Sequence, residues 1–209
     1  MKSGAIWVAA GIFFSRIFGL IRERVFAHYF GNSDAGDAFK AALKILNFLQ
    51  NLFGEGVLSA SFIPVYAHLL AEGQNDLEKQ KEAQKLAQVI LTFLMLAVSL
   101  LVLLGVWFTP QMINLIAPGF SGEKKDLTIR LVQIFFPGIG FLVLSAWCLG
   151  VLNSHRKFFL SYAAPVIWNL TIIIFLIYFG SQNLSSFSLA QWTAWGLVGG
   201  SFLQFMIQL

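Results

Sequence analysis

Charge is what this sequence has least of. Only 11% of its 209 residues are Asp, Glu, Lys or Arg, against about 25% in a soluble domain. That leaves too few to cover a water-facing surface. With 57% apolar residues and a mean hydropathy of +0.74, the chain reads as an integral membrane protein. Cysteine is almost absent too: Cys148 stands alone in an apolar run, so no intrachain disulfide exists. No Lys/Arg-rich tract or zinc spacing occurs, so no nucleic-acid partner is expected. His28 and His68 lack metal-ligand spacing, and no metal or cofactor is expected. The first apolar run continues through Arg16 without a small-residue cleavage site, which argues against a cleavable signal peptide. Nucleophile–base pairs, phosphate-cradling glycine loops and paired catalytic carboxylates are missing as well. The sequence points away from an enzyme.

What is there is helical and hydrophobic. A hydrocarbon core of about 30 Å takes about 20 helical residues, and the apolar runs predict an all-α, polytopic fold of six spans. They fall at about 6–30, 38–70, 86–108, 127–152, 158–179 and 189–209. The turn at 31–37 is rich in Gly, Asn and Asp; 71–85 is polar, and 109–126 holds two prolines with Lys124 and Lys125. Pro64, Pro137 and Pro165 fall within spans, as kinks, hinges or plain packing irregularities. One set of loops collects Lys2, Lys79, Lys81, Lys85, Arg156 and Lys157, and the other only Lys124 and Lys125. The positive-inside rule then puts the amino terminus in the cytoplasm.

The scarce charge is concentrated where a membrane protein should have least. Arg16, Arg22, Glu23, Arg24, Asp37, Lys40, Lys44 and Glu55 sit among Phe, Leu, Ile and Val. An ionisable group near mid-bilayer costs about 2.5–3.5 kcal/mol on insertion scales, so such residues face a bundle interior or a wet cavity. The second span is longer than a bilayer needs. At about 100° per residue, Asp37, Lys44, Asn51 and Glu55 fall within about 20° of one line, with Lys40 and Asn47 flanking it. Such a stripe suits either a helix lining a hydrophilic cavity or one projecting past the membrane with a solvated face. On the first span, Arg16, Gly19 and Glu23 share a face, while Arg22 points about 120° away in a straight helix. Arg16 and Glu23 could neutralise each other. Alternatively the arginines offer planar, multi-donor forks to a phosphate-bearing ligand.

Four segments together resemble one known family: SRIFGLIRER at 15–24, DAFKAALKILNFL at 37–49, FGEGVLSASFIPV at 53–65 and APGF at 117–120. A weaker likeness runs through VLNSHRKFFLSYAAPVIWNL at 151–170. The chain resembles the amino-terminal lobe of the MurJ (MviN) family, flippases of lipid-linked peptidoglycan precursor within the MOP exporter superfamily. The resemblance implies one six-helix lobe of a two-lobed transporter with a cationic central cavity and alternating access. It implies lipid II and membrane lipid as partners, a missing carboxy-terminal lobe in cis or trans, and the bacterial cytoplasmic membrane as location. The family's cavity arginines correspond to Arg16 and Arg22, with Arg24 and Lys44 as further candidates for holding the substrate's diphosphate. Asp37 corresponds to its second-span aspartate and Glu55 to its glutamate, as gate or cavity-lining residues together with Asn47 and Asn51. Gln50 and Asn51 stand where family members usually carry an arginine pair. The chain stops inside an apolar run, as a fragment would, or a natural half-transporter. Two other readings stay open: a different MOP-type exporter of a polyprenyl-linked glycan or drug, and a non-transporting membrane scaffold.

Overall fold

The computed structural model describes residues 2–53, 61–73, 76–155 and 157–209, and these are almost entirely helical. In chain order the helices are α1 (Lys2–Phe30), α2 (Asp34–Gln50), α3 (Ile63–Glu72), α4 (Leu77–Ile116), α5 (Gly122–Ser154), α6 (Phe158–Gly180) and α7 (Ser186–Gln208). Among the described residues, three helices are long and apolar enough to cross a membrane: α4, α5, and α6 from Phe159 to Gly180. The protein is therefore all-α and a multi-pass membrane protein. The expected count of six spans is not reached among the described residues. Over its described residues the expected second span is α-helical to Gln50 and again from Ile63, with π geometry at 51–53 and 61–62.

That second span is the main departure. Its helix starts earlier, because the Ser33 side chain caps it by accepting from the Gly36 N–H at 3.2 Å. Asp34 and Asp37 then lie in the first turn, where the helix dipole favours negative charge. The α-helix ends at Gln50, residues 51–53 form a wider π turn, and regular helix resumes at Ile63. Pro64, expected inside a span, instead sits in the first turn of α3, where its missing N–H would be unpaired anyway. The polar stretch 71–85 is also less of a loop than expected. Asp76 caps Glu78 N–H at 2.8 Å and starts α4 at Leu77.

At its other end α4 runs through Pro110 to Ile116, past the limit set by hydropathy. Proline deprives the carbonyl four residues back of its donor. Here that carbonyl belongs to Val106, and the Gln133 side chain donates to it from α5 at 3.3 Å. The helix therefore continues. The same two helices meet closely one residue earlier: a Cβ on Gly105 would lie 2.0 Å from the Phe136 ring.

The core is organised around α5, which packs against α7, α2 and α4, while α6 lies between α7 and α1. An aromatic ladder ties the first two helices to it. Phe26 meets Phe39 at 5.1 Å, and Phe39 meets Phe135 edge-on at 5.3 Å. Between α5 and α7, Gln204 donates to Ser145 at 2.9 Å and Ser145 to Gln208, so buried polar groups pair across the interface.

The helix ends sort onto two sides. Asp37 at the start of α2 reaches Lys124 at the start of α5, and Gly180 at the end of α6 lies against Tyr29 near the end of α1. At the opposite side Tyr66 of α3 is hydrogen-bonded to His155, just after α5, at 3.0 Å. Lys79, in the first turns of α4, there approaches Glu72 at 3.8 Å.

Candidate functional site

The polar stripe of α2 is outward-facing in the folded chain. Asp37, Lys40, Lys44, Asn47 and Asn51 are all exposed. Ala35, Ala38, Phe39, Ala42, Ile45 and Leu46 on the opposite side are buried. The pattern is one-sided because helical spacing places these polar residues together, and the apolar side has α5 to pack against. Glu55, the last member of the expected stripe, lies outside the described residues. Lys44 has no ion-pair partner among the described residues. The Asn51 backbone N–H reaches the Asn47 and Phe48 carbonyls and so continues the helix into the π turn.

Where α1 meets α2 there is a small cavity of 40 Å³, lined by Arg22, Glu23, Phe26, Phe39, Lys40 and Leu43, with Ile172 and Leu197 behind. Arg22 is the most enclosed of the candidate cations, its side chain only 19% exposed. Its Nη2 donates to Glu23 Oε1 at 2.6 Å. Its guanidinium carbon lies over the Trp168 ring, 5.0 Å from the centroid. Glu23 is thus bonded to its neighbour Arg22, not to Arg16 as the shared helix face allowed. Arg16 and Arg24 are exposed and have no ion-pair partner among the described residues. Lys40, noted from sequence only as flanking the stripe, reaches the cavity too, with its ammonium 5.8 Å from the Phe26 ring centre.

Asp37 is engaged within this chain. Lys124 donates to its Oδ2 at 2.8 Å and approaches Asp34 Oδ1 at 3.0 Å, while standing 4.7 Å over the Phe120 ring. The hydrogen bond and charge of Lys124 hold the Asp37 carboxyl below the usual carboxylate range. The structure therefore brings Arg22, Glu23 and Lys40 together, and separately Asp34, Asp37 and Lys124.

Sequence reasoning missed Lys124, Asp34 and Trp168. Lys124 and Asp34 read as loop charges because their pairing spans 87 to 90 positions of chain. Trp168 stood unremarked within the weaker likeness at 151–170. No local signal marked any of them; only contacts between α1, α2, α5 and α6 do.

These features define an all-helical, multi-pass membrane protein whose first two helices carry cations on an exposed polar face and at a small crevice beside it. Residues 26–209 match the family model described as "Lipid II flippase MurJ", and the chain belongs to that family. It is 36% identical over 191 residues to a Rickettsia prowazekii (strain Madrid E) protein named "Probable lipid II flippase MurJ". That match covers 90% of this chain and 36% of the relative. A Thermosipho africanus (strain TCF52B) protein named "Lipid II flippase MurJ" is 37% identical over 170 residues, covering 81% of this chain and 34% of its own length. Among solved structures, "Lipid II flippase MurJ, inward closed conformation" superposes with a TM-score of 0.76 at 34% identity. It covers 96% of this chain and 40% of that one. The chain thus spans little more than a third of the relatives it matches.

Proposed function

We propose that this chain forms the amino-terminal lobe of a flippase that moves lipid II across the bacterial cytoplasmic membrane by alternating access. The rest of the cavity would come from a further lobe, in the same polypeptide or another. The observation that carries the reading is Arg22: a guanidinium held in a crevice beside Lys40, at the edge of an exposed polar helix face. A diphosphate crossing a low-dielectric path needs several positive donors, and an arginine fork meets two phosphate oxygens at once. Flipping makes and breaks no covalent bond, so binding groups suffice and no catalytic residue is needed. Arg16, Arg24 and Lys44, all exposed, add further positive charge. Asp37 and Glu55 serve as gate contacts that change partners between inward- and outward-open states. The amino terminus lies in the cytoplasm, a reading supported by the lysines that begin α4.

The test is growth of a flippase-depleted cell complemented by the complete transporter containing this lobe, with immunoblots of membranes for abundance. Arg16→Ala or Arg22→Ala abolishes growth at normal abundance. Arg→Lys recovers part of it, because it keeps the charge and loses the fork, and Arg24→Ala matters less. Loss of a charge-assisted contact of about 1.5–3 kcal/mol weakens binding about tenfold to more than a hundredfold. Full growth with Arg16→Ala and Arg22→Ala combined would remove these residues from the substrate path.

A further inference from the structure

We propose that Trp168 is a positioning residue for Arg22, an aromatic platform that aims the guanidinium without consuming its hydrogen-bond donors. The proposal rests on the reading that Arg22 meets the diphosphate. An arginine can be held in two ways. A carboxylate grips the edge of the guanidinium, taking the N–H groups a phosphate would need and cancelling part of its charge. An aromatic ring grips the face and leaves all the in-plane donors and the full charge available. Arg22 has both kinds of partner: its Cζ stands over the Trp168 ring, 5.0 Å from the ring centre, and Glu23 takes a hydrogen bond from Nη2.

The platform is itself anchored. Trp168 Nε1–H donates to Ser201 Oγ at 3.1 Å, and that hydroxyl donates to the Leu197 carbonyl at 2.9 Å. Ser201 is fully buried. Gly200 lets α7 come close enough for this: a Cβ there would lie 3.0 Å from the Trp168 carbonyl oxygen and 3.2 Å from its Cα. An interfacial tryptophan would turn its N–H toward lipid headgroups. Trp168 instead points its donor into the α6–α7 contact, which orients the ring under Arg22. A single chain of contacts therefore runs from the α7 backbone to the candidate substrate cation.

The experiment measures binding of geranylgeranyl diphosphate to the 209-residue chain in lipid nanodiscs, with geranylgeraniol as the phosphate-free control. Trp168→Leu weakens diphosphate binding about two- to thirtyfold, the span of a cation–π contact from exposed to desolvated, and leaves the alcohol unaffected. Trp168→Phe, which keeps a ring face, recovers most of the loss, and Ser201→Ala, which unfixes the indole, gives a smaller loss. Because Trp168 acts through Arg22, the Arg22→Ala, Trp168→Leu double variant binds no more weakly than Arg22→Ala alone. Additive losses, or weakening by Arg22→Ala with none from Trp168→Leu and Ser201→Ala, overturn the positioning role while leaving Arg22 as a ligand. No effect of Arg22→Ala removes the underlying reading and this one with it. If Trp168→Leu does not reach the membrane, Ser201→Ala decides, since it keeps the indole and removes only its anchor.

Discussion

Lys124 shows how one side chain settles the electrostatics of a helix end. It stands between Asp34 and Asp37 at 3.0 and 2.8 Å and offsets part of the charge of two carboxylates placed in the same first turn. Those acids suit the helix dipole singly but repel each other. Replacing Lys124 with Met leaves both uncompensated. The group is exposed and screened, so the expected fall in melting temperature in detergent at pH 7 is a few degrees at most. The sign with pH follows from Asp37. Its carboxyl titrates below its ordinary value in the folded chain, so its contribution is fully present above the ordinary carboxylate pKa and is lost as pH falls through the lowered one. The gap between the parent and Lys124→Met melting curves should therefore close on acidification. A gap that widens in acid would exclude the Asp37 pairing as its source.

At the scale of elements, the α4–α5 contact sets how closely two long helices approach. Gly105 leaves room for the Phe136 ring, which is 1% exposed and cannot turn away. Gly105→Ala is expected to destabilise by about 1–3 kcal/mol through overpacking, although alanine is the better helix former in isolation. Pairing it with Phe136→Leu should restore much of the loss. Thermal unfolding of the single and double variants checks this, and a double variant as unstable as the sum of its parts would place the strain elsewhere. The neighbouring Gln133–Val106 bond explains why Pro110 does not end α4 where hydropathy does. A partner on another helix supplied what the local sequence withheld.

For the whole molecule, the helix ends divide into two sides, one holding the Asp37–Lys124 contact and the other the Tyr66–His155 hydrogen bond. The lysines that begin α4 lie with the second. In a Cys148→Ala background, Asn32→Cys should react with an impermeant thiol reagent in intact cells, while Gln84→Cys should react only after permeabilisation. Reversal of the two would put the amino terminus outside.

Composition determined that this chain lives in a bilayer, because so few charges cannot solvate a surface, and apolar runs of helical rather than strand length determined that it is helical. Spacing alone put Asp37, Lys40, Lys44, Asn47 and Asn51 on one side of α2, since a helix repeats every 3.6 residues whatever packs against it. Helix limits were less legible: α2 and α4 start on the caps Ser33 and Asp76, and α4 runs on past a proline whose orphaned carbonyl is paired from another helix. The tertiary structure decided the partners. It gave Glu23 to Arg22 rather than Arg16, gave Asp37 to Lys124, and set Trp168 beneath Arg22. The Lys124 and Trp168 contacts depend on which helices lie side by side, and a contact between residues tens of positions apart leaves no period or spacing in the chain to read.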